Sequence, residues 1–276
     1  MLNAYLTQLN LCAPHEPSLS FLCSLTRRHI ATHTFNNLGV LLREPMSLEL
    51  DAIFHKIVIR QAGGFCFEHN KLLMHCLNQL GYETRLMMAR VLNNHVRDVP
   101  RTHRITLVRL NGDIYLVDCG FGASVPLGPL QVNTNCIQHV GGKQYQILPV
   151  NENEYDVVEI RDNAPFILYR FDSATYSDAD CTASHHYSIS HPDAVFVRNL
   201  VVSLNRENQS LYLVNQTLTK FADDETQRLI IMSAKQLESV LNGEFRLSVD
   251  SAICNLLFER YMSPHICCEQ SKKGAQ

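Results

Sequence analysis

Through residue 81 the apolar positions recur at three- and four-residue intervals, the period of helices packed on one face. Leu2, Tyr5, Leu6 and Leu9 form such a stripe in MLNAYLTQLNLC. SLSFLCSLTRRHIATH continues the pattern behind Ser18, a helix-capping residue type. SLELDAIFHKIVIRQAG predicts a third helix and FEHNKLLMHCLNQLG a fourth. Leu72, Leu73, Cys76, Leu77 and Leu80 make the fourth helix's buried stripe, and Gly81 is a natural stop. At Tyr82 the pattern becomes that of strands: YETRLMMARVL, HRITLVRL, DIYLVDCG and EYDVVEI. PFILYRF, AVFVRNLVVSLN and QSLYLVNQTLTKF predict further strands, and SAKQLESVLNGEF a late helix stopped at Gly243. The order is a helical part, a β-rich part and a mixed tail, without internal repeats.

Asn111-Gly112 between two strand-like runs is a strong hairpin signal. A two-residue turn there sets Leu110 opposite Asp113, and running back along the arms sets Ile105 against Asp118 and His103 against Gly120. His103 and Asp118 then become diagonal neighbours on one face, with α-carbons about 7–8 Å apart. A slip of one residue would separate them. Upstream, RQAGGFCFEHN places Gly63 and Gly64 just before Cys66 and a helix just after it. Glycines permit close backbone approach, and a helix start offers free N–H groups that favour a thiolate. Cys66 as nucleophile, His103 as base and Asp118 as orienter make a coherent set. A lone cysteine is more often a small buried hydrophobe; the hairpin geometry is what strengthens the joint reading.

Composition narrows the classes. The chain of 276 residues carries a formal net charge of -3, so no basic excess exists to neutralise nucleic-acid phosphates. Its ten cysteines are scattered and form no C-x-x-C, which argues against a zinc ribbon, a thioredoxin motif or a disulfide scaffold. The opening residues lack the zones of a signal peptide, and no apolar run is long enough to span a bilayer. A cytoplasmic protein with reduced thiols is expected, with SKKGAQ as a solvated tail. His185, His186 and His191 in ASHHYSISHP match no metal-binding spacing and read as a polar loop near a cleft. GFGASVPLGP begins at Gly120, two residues past Asp118, and could grip a phosphate or pyrophosphate through backbone N–H groups. Phe65 and Phe121 flank the site residues and, with Phe35, read as core or as pocket wall.

These motifs resemble those of the arylamine N-acetyltransferases in order and spacing. TFNNL at 34–38 is similar to the family's P-F-E-N-L, AGGFCFEHN at 62–70 to its R-G-G-x-C-x-E-x-N, and LVDCGFG at 116–122 to its D-V-G-F-G. RTHRITLV carries the family histidine at His103, and HHYSISHPDAVF resembles its N-x-Y-x-S-T-x-P-x-S-x-F segment. The resemblance implies an α+β fold: an N-terminal helical bundle (1–82), a central β-barrel (83–190) and a C-terminal α/β lid (191–276). The triad arrangement is that of papain-like and transglutaminase-like cysteine enzymes. Acetyl-CoA would be the co-substrate, with no metal, and an aromatic amine or hydrazine the acceptor. Gly120, Gly122, Ala123 and Ser124 would meet the coenzyme A pyrophosphate, and Phe35, Phe65 and Phe121 would line the acceptor pocket. A ping-pong route through acetyl-Cys66 follows.

Three positions depart from the family pattern: Ala62 replaces an arginine, Asn36 a glutamate and His185 an asparagine. An arginine and a glutamate beside the cysteine loop would pair, and losing both together is near neutral. Asn36 and Ala62 are therefore expected to be neighbours, with uncharged groups or water filling the space. Two other readings remain: a cysteine hydrolase or amide synthase using the same triad, and a coenzyme A- or partner-binding module with a dead site.

Overall fold

The computed structural model describes residues 1–206, 208–222 and 225–262. The expected solvated tail, SKKGAQ, lies outside them. The first part is helical, as its periodicity requires: α1 (Leu2–Gln8), α2 (Leu19–Thr32), then β1 (Phe35–Asn36), α3 (Leu38–Leu41), α4 (Leu50–Phe54) and α5 (Cys66–Gln79). Ser18 caps α2, its Oγ accepting from Phe21 N at 3.3 Å. Tyr5, Leu22, Leu25, Ile53, Ile57, Leu72 and Leu77 fill the core between these helices. The expected third helix is not continuous. After α4 the chain makes one π-helical turn (His55–Ile59), then turns at Gln61 and Gly63, both with positive φ, to enter α5. A π turn of this kind is common where a site must be shaped.

The β-rich part supplies β2 (Glu83–Val91), β3 (His103–Leu110), β4 (Asp113–Val117), β5 (Leu130–Gln131), β6 (Gln138–Val140), β7 (Lys143–Pro149), β8 (Glu154–Arg161) and β9 (Ala164–Asp172). They form one eight-stranded antiparallel sheet in the order β5-β4-β3-β2-β9-β8-β7-β6. The Gln138 side chain bonds both the N–H and the carbonyl of Gln131, so the two edge strands nearly close a barrel. Ile105, Leu116, Tyr145, Val157, Leu168 and Tyr169 pack inside. The β3–β4 register has Leu110 opposite Asp113 and Thr106 opposite Val117. Asn111 and Gly112 both take positive φ (53° and 89°), the type I′ turn this dipeptide favours.

The sheet ends at Asp172. Residues 178–190, expected within the barrel and partly as a polar loop, form α6 (Asp178–Ser190). Ser177 and Asp180 cap it reciprocally, a local signal stronger than the polar composition downstream. AVFVRNLVVSLN, expected as one strand, divides into α7 (Val195–Arg198) and β10 (Val201–Arg206). Beyond it lie β11 (Gln209–Val214), β12 (Thr217–Ala222), β13 (Glu225–Ile230), α8 (Ala234–Ser239) and α9 (Ser251–Tyr261). The second sheet has the order β1-β10-β11-β12-β13, so two residues of the helical part form the edge of the C-terminal sheet. The architecture is α+β, and no helix among the described residues is long and apolar enough to cross a membrane.

Asn37 explains why the chain breaks between α7 and β10. Its Nδ2 donates to the carbonyls of Phe196 (2.8 Å) and Asn199 (2.6 Å), and its Oδ1 accepts from Val201 N (2.8 Å). The residue is fully buried, so its removal leaves buried backbone groups unpaired. Asn37→Ala is expected to cost about 3 kcal/mol of unfolding free energy in urea titration, the range for several stranded polar groups.

Candidate active site

Cys66 opens α5, behind Phe65 at the cap position. Phe65 carries no side-chain oxygen to cap the helix, so the helix start depends on Glu68, whose Oε2 accepts from Phe65 N at 3.1 Å. Lys56 Nζ, placed by the π turn, pairs with Glu68 Oε1 at 2.8 Å. Gly63 is a steric necessity, and at Gly64 a side chain would displace the Glu68 carboxylate. A Cβ on Gly63 would sit 2.0 Å from Thr34 O, and one on Gly64 2.9 Å from Glu68 Oε2. The chain there lies against β1: Asn36 N donates to Gly64 O (2.7 Å) and Gly64 N to Thr34 O (3.2 Å).

Asp118 leaves the end of β4 fully buried and ringed by donors. Its Oδ2 accepts from His103 Nε2 at 2.7 Å, and its Oδ1 accepts from Asn70 Nδ2 at 2.9 Å and Gly120 N at 2.8 Å. Burial is the largest influence and opposes ionisation; the His103 charge and these hydrogen bonds outweigh it and hold the carboxyl below its usual range. Asn70 also donates to Arg104 O (2.6 Å) and accepts from Cys119 N (2.8 Å), tying α5 to both strands of the hairpin. The His103 ring lies 5.1 Å from Phe121 and 5.0 Å from Tyr169. A Cβ on Gly120 would fall 2.6 Å from Cys66 Cα, so only glycine lets the chain leaving Asp118 lie against the start of α5.

Cys66, His103, Gly120, Phe121, Gly122, Ala123, Ser124 and Phe35 line one cavity of about 440 Å³. Phe65 does not. It is fully buried, its ring against Phe67, His185 and Phe196, and so stands behind the wall rather than in it. The two glycines and the helix start do not by themselves give a thiolate. Burial is the dominant influence and pushes the Cys66 thiol up; backbone contacts from Arg104 and Phe67 favour the thiolate, and the charges of Asp118 and Glu68 oppose it. The thiol instead lies 3.6 Å from Thr102 O, as donor.

His185 is buried on α6, bonded through Nε2 to Met46 O at 2.9 Å, while Tyr187 and Ser188 of the same helix reach the cavity. Asn36 and Ala62 are neighbours, Asn36 Nδ2 donating to Ala62 O at 2.9 Å. The uncharged Asn36 amide thus fills the gap itself, and Ala62 N in turn donates to the Lys56 carbonyl at 3.0 Å. Sequence reasoning missed Asn70, Lys56, Tyr187 and Phe196. Asn70 had a usable signal, since it lies one helical turn past Cys66 on the same face.

The chain resembles known proteins in sequence and in fold over most of its length. The family model described as N-acetyltransferase matches residues 18–254. The arylamine N-acetyltransferase of Mycobacterium tuberculosis H37Rv is 30% identical over 254 residues, covering 90% of this chain and 89% of that protein. The Escherichia coli K12 protein of the same name is 27% identical over 256 residues, covering 91% and 90%. The solved M. tuberculosis arylamine N-acetyltransferase superposes with a TM-score of 0.86 at 27% identity, over 93% of this chain and 99% of that one. The Mycobacterium marinum enzyme in complex with CoA gives 0.88 at 25% identity, over 95% and 100%. The fold and the matched family model define an acyltransferase. The chain belongs to the arylamine N-acetyltransferase family.

Two outcomes test the site's physical account. Gly120→Ala, which forces a Cβ onto the Cys66 backbone, is expected to destabilise by about 3 kcal/mol or more in denaturant titration, the cost of overpacking that rigid backbone cannot relieve. The second concerns pH. A carboxyl lowered on folding contributes stability that is complete above its unfolded pKa and lost as pH falls through its folded value. The wild-type advantage in stability over Asp118→Asn should therefore narrow as pH drops below the ordinary carboxylate range. An advantage that is constant with pH would contradict the buried, ionised Asp118.

Proposed function

We propose that this protein carries an acetyl group from acetyl-CoA to an arylamine or arylhydrazine in two half-reactions, through an acetyl thioester on Cys66. The observation that carries the reading is the buried His103–Asp118 pair, 2.7 Å apart, with His103 and Cys66 on the wall of one cavity. With Nε2 bonded to Asp118, Nδ1 of His103 is the base. It takes the Cys66 proton, and the ionised Asp118 stabilises the imidazolium. Burial makes an isolated thiolate costly, so the positive ring formed beside it is what permits the transfer.

The sulfur attacks the thioester carbonyl, and a backbone N–H near Cys66 stabilises the oxyanion. The carbon–sulfur bond to coenzyme A breaks, and the departing sulfur takes the proton from His103. In the second half-reaction the amine nitrogen attacks the acetyl-cysteine, His103 receives its proton, and Cys66 leaves with that proton restored. Exchange of one thioester for another is nearly neutral, so the enzyme-bound acetyl group keeps the driving force for amide formation. The cavity must then exclude water, which accords with a Cys66 only 3% exposed.

Phe35 and Phe121 offer aromatic surface to the acceptor, with Phe65 supporting them from behind. The backbone of Gly120, Gly122, Ala123 and Ser124 takes the pyrophosphate of coenzyme A. Arg161, whose Nη2 donates to Ser124 Oγ at 3.0 Å, adds a cation beside that loop. The similar Mycobacterium marinum arylamine N-acetyltransferase, solved in complex with CoA, supports the donor. On this reading residues 1–82 carry the nucleophile and 83–190 the base and its orienter, and the described residues from 191 on cover the site, in a cytoplasmic enzyme.

Cys66→Ser is expected to reduce acetylation of an arylamine to a small fraction of wild type, because an alkoxide is far less available than a thiolate at neutral pH. Wild-type double-reciprocal plots should be parallel, and the pH limbs should belong to the Cys66–His103 pair rather than to either residue. Intersecting lines, or substantial turnover by Cys66→Ser, would overturn the covalent route.

A further inference from the structure

Behind the first turn of α5 runs a line of buried polar groups that the acyl-transfer steps do not use. Tyr5 Oη lies 2.6 Å from His29 Nδ1, and His29 Nε2 lies 2.8 Å from His69 Nδ1. His69 Nε2 lies 3.1 Å from the carbonyl oxygen of Gly64. The line joins α1, α2 and α5 and ends two residues before Cys66. Tyr5, His29 and His69 are all 0% exposed.

The direction of these hydrogen bonds is forced. A carbonyl only accepts, so His69 Nε2 carries a hydrogen. Burial, against the bond to Gly64, holds His69 down to about 4, and burial together with His33 and His69 holds His29 well below its ordinary value. Both rings are therefore neutral at pH 7, with one N–H each. His69 Nδ1 must accept, which makes His29 Nε2 the donor. His29 Nδ1 must then accept in turn, and the Tyr5 hydroxyl donates. One order of donors satisfies all three contacts, and its end point is a backbone carbonyl rather than solvent, so the line holds atoms in place and does not conduct protons.

Gly64 O also accepts from Asn36 N at 2.7 Å. The turn that presents Cys66 is thus held by β1 through Asn36 and by α5 through His69. We propose that Tyr5, His29 and His69 are positioning residues for Cys66, a one-way hydrogen-bond chain that fixes the tautomers of both rings and, through them, the Gly64 peptide. The inference rests on Cys66 being the acylated nucleophile. A core-filling role alone would need bulk at these positions but no particular hydrogen.

The test uses the full chain as wild type, His69→Gln and His69→Leu. Glutamine keeps an N–H near the place of Nε2; leucine keeps the bulk alone. Nitrogen-15 spectra of the wild type should show unprotonated Nδ1 and protonated Nε2 on both His29 and His69. At saturating acetyl-CoA, His69→Gln should acetylate Cys66 within about threefold of wild type and His69→Leu at least about tenfold more slowly, with half-saturation unchanged, since small misplacements of a reacting atom are costly. Iodoacetamide alkylation of Cys66, followed on its peptide by mass spectrometry, should slow in parallel. That probe needs no acyl donor, so a wild type that alkylates but takes no acetyl group sinks the acyl-transfer reading on which the inference rests, while slower alkylation in His69→Leu still reads the positioning of the Cys66 thiol by itself. Where His69→Leu does not fold, Tyr5→Phe replaces it, and slower alkylation of Cys66 is again expected. A variant with a lowered melting temperature but wild-type rates at Cys66, or a hydrogen on Nδ1 of His29, would overturn the proposal.

Discussion

Everything at the site follows from one close passage of backbone on backbone, where Gly120 lies against the first turn of α5. A Cβ there would come within 2.6 Å of Cys66 Cα. The contact brings the end of β4 to the start of α5, so that Asp118 and Cys66 share one site although they lie on different elements. Asn70 secures the passage by bonding Arg104 O, Cys119 N and Asp118 together. The energetics favour this arrangement only because it is complete. Burying a carboxylate costs several kcal/mol. Each charge-assisted hydrogen bond returns about 1.5–3 kcal/mol, and Asp118 accepts one each from His103, Asn70 and Gly120. The charge of His103 adds to these bonds, and together they outweigh burial and hold Asp118 ionised.

The same economy of contacts joins the parts of the molecule. Thr34 and Asn36 hold the glycine turn before Cys66, while Phe35 and Asn36 form the edge of the C-terminal sheet. Thr34 Oγ1 also reaches Phe245 O at 2.7 Å. The turn before Cys66 is thus built into a sheet whose other strands come from the last third of the chain, and the cavity wall draws on all three parts. Helix α6 is fastened in the same way, since Asp178 accepts from both Lys71 of α5 and Arg104 of β3.

What could be read in the sequence was whatever is local or periodic. Asn111-Gly112 specifies its own turn, and that turn carried the register as far as Thr106–Val117. From there the diagonal placement of His103 and Asp118 was within reach. The rest depended on groups far apart in the chain. β1 has two residues and no period to detect. α6 looked like a loop because HHYSIS is polar, whereas its helix is set by Ser177 and Asp180 at one end and by burial of His185 against Phe65. β7 alternates weakly and was not foreseen. The expected thiolate failed because glycines and a helix start are visible in sequence, while the burial that outweighs them is not. The Lys56–Glu68 pair was hidden for a similar reason, since it forms only when a π turn interrupts the helix that the periodicity implied.

The central claim is that this buried thiol becomes an acyl carrier because His103 and Asp118 stand ready to hold its proton. The most direct measurement is the intact mass of the protein after mixing with acetyl-CoA and no amine, followed by mapping of the modified peptide. The account predicts the mass of one added acetyl group, carried on the peptide containing Cys66 and discharged when an arylamine is added. An unchanged mass under conditions where an arylamine is acetylated, or an acetyl group on another residue, would contradict it.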